Sequence, residues 1–103
     1  MRLFGLKNCD TCRKALKTLT SAEFVDVRAV GVPNEVMLQA FAAFGDSLLN
    51  TRSTTWRNLN AEQRKVAPLT LLAEHPTLMK RPLIEHEGEL FLGWTPKVQA
   101  ALG

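Results

Sequence analysis

The chain has 103 residues, 46% of them apolar and 22% charged, with a formal net charge of +3 and a pI near 9.2. These values are ordinary for a soluble globular protein and suffice for a single domain, residues 1–103, around one core. The basic residues are scattered without a Lys/Arg block or adjoining stacking aromatics, which disfavours nucleic acid as a partner, and no apolar run reaches the length of a membrane span.

Leu3 to Leu6 read as a short strand. Asp10 to Leu19 follow at helical spacing, with Cys12, Ala15, Leu16 and Leu19 on one face. Phe24 to Arg28 predict a second strand, with Phe24 as its core residue, and a strand–helix–strand order makes the two strands parallel. Pro33 fits the first position of the next helix and Glu35 its first turn. Met37, Ala40, Phe41 and Phe44 keep the helical period until Gly45 stops it. A polar connection, Asn50 to Ser53, leads to shorter helical pieces: Ser53 can cap the turn holding Trp56, and Asn60 with Gln63 has capping-box spacing. Pro68 opens a further helix that runs to Glu74 or His75, ahead of Pro76. The period then changes. Leu83–His86 and Glu89–Leu92 predict antiparallel strands around Glu87-Gly88, and Thr95-Pro96 opens a last helix carrying Val98, Ala101 and Leu102. The order β-α-β, helical insertion, β-β-α is the connectivity of a thioredoxin-like α/β fold, a mixed four-stranded sheet with flanking helices.

Both cysteines lie in Lys7-Asn8-Cys9-Asp10-Thr11-Cys12, between the first strand and the first helix. A thiol at the start of a helix meets the positive end of the macrodipole and unpaired N–H groups, and both favour the reactive thiolate. Arg13 can add positive charge; Asp10 opposes it unless its carboxylate caps the helix. The polar neighbours Asn8 and Asp10 disfavour an inert, core-packed Cys9. Cys12 has two open readings, a resolving thiol that closes a bridge to Cys9 and a small residue on the helix's inner face. No metal is expected: a structural zinc wants four ligands, and the remaining candidates, His75 and His86, lie outside the usual H-x3–5-H spacing. Two cysteines in an otherwise unstapled chain point to a reducing compartment, the cytoplasm.

Three segments in order resemble the arsenate reductase-like family, meaning the ArsC/Spx group and most closely its short YffB-type members. They are Lys7-Asn8-Cys9-Asp10-Thr11; Leu48-Leu49-Asn50-Thr51-Arg52 followed by Thr54-Thr55-Trp56-Arg57; and His75-Pro76 with Lys80-Arg81-Pro82-Leu83. The resemblance implies a thioredoxin-like fold, Cys9 as nucleophile, and a cis Arg81–Pro82 peptide that holds Arg81 beside Cys9. It also implies glutathione as a co-substrate rather than a bound cofactor, and a small oxidised or thiol-bearing substrate. Arg81 is the foremost anion-binding residue, because a guanidinium grips oxyanions bidentately. Arg52 and Asn50 fall where the family keeps an oxyanion arginine, and Lys7 can steer an anionic thiol. The chain departs from the arsenate reductases at Asn50, at Gly93-Trp94 where a late arginine is missing, and at Cys12, which creates the CxxC of Spx regulators. The resulting expectation is a glutathione-dependent thiol/disulfide reductase. Its alternatives are a redox-sensing regulator that binds RNA polymerase and an arsenate reductase proper.

Overall fold

The computed structural model describes residues 1–103, which divide into two compact units. One comprises Met1–Val30 with Arg81–Gly103, and the other is Gly31–Lys80.

The first unit holds a four-stranded mixed sheet in the order β2-β1-β3-β4. Strand β1 (Arg2–Gly5) lies inside it, parallel to β2 (Glu23–Asp26) and antiparallel to β3 (Leu83–His86), which pairs antiparallel with β4 (Glu89–Leu92). The β1–β2 connection is α1 (Asp10–Thr18), and α7 (Pro96–Leu102) closes the chain. Leu3, Cys12, Ala15, Leu19, Ile84 and Val98 form one core cluster, so a strand from each half of the unit and the inner faces of both helices share it. Burial of each large apolar side chain stabilises the fold by about 1.5–3 kcal/mol. Across the sheet, Arg2 faces Glu85 in register, and its Nε and Nη2 lie 2.7 and 2.6 Å from Glu85 Oε1. The β3–β4 turn uses Glu87 (φ 51°) and Gly88 (φ 80°), the two consecutive left-handed residues that a tight hairpin matched to strand twist requires. Thr95 caps α7 by accepting the Val98 N–H at 3.3 Å.

Two expectations need correction here. The second strand stops at Asp26 rather than Arg28, because the Asp26 carboxylate accepts the N–H groups of Arg28 (2.9 Å) and Ala29 (3.3 Å). That bond starts a helical turn, α2 (Val27–Val30), whose Val27 is fully buried, while Phe24 is only partly so. Strand β1 spans Arg2–Gly5, one residue earlier than expected, and leaves Leu6 in the loop.

In the second unit, α3 (Asn34–Phe44) has Pro33 as its N-cap, one residue outside the expected first position, and Gly45 ends it with φ 57°. A 3-10 turn (Gly45–Leu48) follows, then α4 (Thr54–Arg57), α5 (Ala61–Arg64), α6 (Pro68–Glu74) and a second 3-10 turn (Pro76–Leu78). Ser53 caps α4 through the Trp56 N–H, and Asn60 and Gln63 form a full capping box on α5. The unit is tied together where Leu49 bridges Met79: Asn50 N–H donates to Leu78 and Lys80 N–H to Leu48. No helix of the chain is long and apolar enough to cross a membrane.

Candidate active site

Cys9 is the N-cap residue of α1, with extended backbone (φ −93°, ψ 117°). Its N–H donates to the Leu6 carbonyl at 3.2 Å, which closes the loop leaving β1, and its carbonyl accepts the Arg13 N–H at 3.0 Å, which starts the helix. The half-buried side chain packs against the core cluster that contains Cys12. Arg81 reaches the same place from the other side of β1. The antiparallel register Leu3–Ile84 and Phe4–Leu83, continued outward, brings Pro82 and Arg81 alongside the end of β1 from which the Cys9 loop departs. The Arg81–Pro82 peptide is cis, and the Nε atom of Arg81 is buried.

The two thiols are driven in opposite directions. Burial alone would raise the Cys9 pKa, but it is outweighed by the Cys12 N–H, the Cys12 thiol and the Arg81 guanidinium, so Cys9 ionises below the ordinary thiol value. The Cys12 N–H falls short of full capping geometry, yet it points at the sulfur closely enough to favour the anion. Burial pushes the Cys12 thiol up to about 12, outweighing the opposing hydrogen bond from the Leu6 backbone; the neighbouring Cys9 adds to the rise, and the Arg81 charge opposes it least. At neutral pH the pair therefore consists of a sulfur poised as a nucleophile and a neutral thiol beneath it. Both cysteines are free.

The remaining sequence-derived residues lie as follows. Arg13 turns its guanidinium to the Lys7 carbonyl (Nε, 3.1 Å) and the Asp10 carboxylate (Nη2, 3.6 Å), and it is not among the groups acting on the Cys9 thiol. Asp10 is exposed and held by that ion pair rather than by a cap bond. Lys7 is exposed in the turn before Cys9. Arg52 and Asn50 belong to the second unit, where Asn50 Oδ1 accepts the Arg52 N–H at 3.1 Å and the Arg52 side chain is exposed. Gly93 donates its N–H to the Pro82 carbonyl at 2.8 Å, and Trp94 packs on the cluster that Cys9 joins. Neither residue supplies a cation at the position where the resemblance to the arsenate reductases implies one. No group of three or more His, Cys, Asp or Glu residues gathers to hold a metal ion. Sequence reasoning passes over one residue of this constellation, Gly5, whose backbone faces the Cys12 sulfur.

A family model described as the ArsC family matches residues 4–102. The chain belongs to the ArsC family. Within the ArsC family it is 42% identical to an uncharacterized protein of Haemophilus influenzae, over 92% of this chain and 91% of that one. It is 30% identical to the global transcriptional regulator Spx of Bacillus subtilis, over 89% of this chain and 78% of the regulator. The solved structure of the YFFB (PA3664) protein superposes with a TM-score of 0.87 at 32% identity, covering 98% of this chain and 96% of that chain. The fold of this ArsC-family chain is thioredoxin-like, and its relatives form a family of thiol-based reductases and regulators.

Proposed function

We propose that the chain is a glutathione-dependent thiol/disulfide reductase with Cys9 as its nucleophile. The observation that carries this reading is the Cys9 sulfur at the start of α1, whose anion is favoured by the Cys12 N–H, the Cys12 thiol and the Arg81 guanidinium. The Cys9 thiolate attacks the glutathionyl sulfur of a glutathione mixed disulfide: the Cys9–glutathione bond forms, and the substrate thiolate leaves and takes a proton from solvent. A second glutathione thiolate then attacks the glutathionyl sulfur, releases oxidised glutathione and restores the Cys9 thiolate. The net reaction consumes one glutathione thiol and one mixed disulfide and returns one substrate thiol and one oxidised glutathione. Arg81 stabilises the thiolate at rest and as a leaving group, and Lys7 draws anionic glutathione by its charge. Arg52 and Asn50 are anion-binding residues on the strength of the resemblance. A reducing, cytoplasmic setting supplies the glutathione.

The test is turnover of a glutathionylated peptide with glutathione, followed as oxidised glutathione formed, with arsenate offered as a second substrate. Cys9→Ser is expected to abolish turnover. Undiminished turnover in that variant would sink the reading, and faster use of arsenate than of the peptide would replace it with an arsenate reductase.

A second reading draws on the likeness to Spx together with the Cys9-Asp10-Thr11-Cys12 spacing. It is a regulator that contacts RNA polymerase and senses oxidation at this motif. Recovery of polymerase by the reduced or oxidised chain, with no glutathione turnover, selects it.

A further inference from the structure

Resting on the reading of Cys9 as an activated nucleophile, we infer that Gly5 is a positioning residue for that thiol. Its missing side chain is the space into which the Cys12 sulfur fits, so that the Cys12 S–H donates to Cys9 from a fixed position beneath it. A Cβ built on Gly5 would lie 2.5 Å from Cys12 Sγ and 3.4 Å from Cys12 Cβ. The first distance is one that real side chains do not adopt, and the second is tight but tolerable. The glycine requirement is therefore a requirement of the sulfur atom, not of the helix as a whole. Gly5 closes β1 in register with Asp26, and its backbone carries no left-handed strain. Conformational freedom accordingly does not explain a glycine here; close approach does.

The consequence runs from Gly5 through Cys12 to Cys9. Cys12 is fully buried in the core cluster, with Leu3, Ala15, Leu19, Ile84 and Val98 around it. Dense packing of such an interior disfavours movement of its sulfur. There it stays protonated and acts as a hydrogen-bond donor to the Cys9 anion. The charged group that also faces Cys9 is Arg81 from the segment before β3, while Asp10 is occupied by Arg13. Cys12 is on this view a fixed donor at neutral pH, and the mixed disulfide at Cys9 is opened by an external thiol.

The experiment is the pH dependence of Cys9 alkylation in five proteins: wild type, Cys12→Ser, Cys12→Ala, Gly5→Ala and the double variant Gly5→Ala/Cys12→Ala. Cys12→Ser retains a donor and is expected to keep the wild-type profile. Cys12→Ala and Gly5→Ala are each expected to move the profile to higher pH and to slow alkylation at pH 7 by about tenfold, the value of one charge-assisted hydrogen bond at its lower end. In the double variant the 2.5 Å clash with the sulfur is gone and only the 3.4 Å approaches to the Cβ of position 12 and to Leu3 Cδ2 remain, so its profile matches Cys12→Ala alone and the two effects fail to add. If Gly5→Ala does not fold, recovery of folding in the double variant carries the same conclusion, and failure to recover overturns it. A low wild-type profile that neither Cys12→Ala nor Gly5→Ala moves overturns this inference and spares the nucleophile reading. A wild-type profile at the ordinary thiol position overturns both.

Discussion

Replacing Arg81 with methionine removes a positive charge from Cys9 while keeping an unbranched side chain as far as the position of Nε. The guanidinium acts on the thiol both as a hydrogen-bond donor and as a charge. A hydrogen bond to a charged group is worth about 1.5–3 kcal/mol. Cys9 is half-buried, so solvent screening favours the lower end of that range. At about 1.4 kcal/mol for each tenfold change, alkylation at pH 7 is expected to slow by about tenfold, and its pH midpoint to rise. The sign extends to stability. The folded-state pKa of Cys9 lies below its unfolded value, so ionised Cys9 stabilises the fold fully above the unfolded thiol pKa. That contribution is lost as pH falls through the folded pKa. Arg81→Met should therefore flatten urea-melt stability across this window, whereas Arg81→Lys should retain part of it. Iodoacetamide kinetics read by intact-protein mass, beside urea melts from pH 5 to 9, measure both effects. An alkylation midpoint in Arg81→Met that coincides with the wild type would refute the reasoning.

Two further expectations concern stability. The Cys12 thiol has its folded pKa raised to about 12, so its contribution to stability is intact below the unfolded thiol pKa and is lost as pH climbs toward 12; urea melts above pH 9 should show this decline in wild type and a shallower one in Cys12→Ala. Asn60→Ala removes the Oδ1 that accepts the Gln63 N–H, leaves the Asn60 N–H its bond to Gln63 Oε1, and is expected to cost about 1 kcal/mol in urea denaturation, while Asn60→Asp, which keeps an acceptor, should cost less.

The sequence made most of the framework readable wherever a local rule acts alone. The hairpin spans Leu83–His86 and Glu89–Leu92, as the change of period and Glu87-Gly88 indicated, and α1 ends within one residue of expectation. The Asn60/Gln63 and Thr95 caps are also where side-chain chemistry puts them. The reading failed at Val27, where apolar, β-branched residues favour strand but an aspartate one position earlier captures two N–H groups and turns the chain. Periodicity could not see that capture, although an Asx-type signal was present. Asp10 and Arg13 illustrate a different limit: their charges were legible, but their exposed pairing with each other was not. Arg81 was legible only through resemblance, since its approach to Cys9 depends on the β1–β3 register. Gly5 had a signal, an isolated glycine in an apolar strand, which marks close approach by another group but not which one.

The interior position of β1 also bears on the life of the unfinished chain. Its partners β2 and α1 are supplied within the first thirty residues, but β3 pairs with it only from the far end of the sequence. Synthesis proceeds from the N-terminus, and such distant pairings form late. Cys9 therefore leaves the ribosome long before Arg81 exists to favour its anion. The nascent thiol lacks the guanidinium's share of its activation until β3 pairs with β1, so strand pairing and the last step of thiol activation become one event.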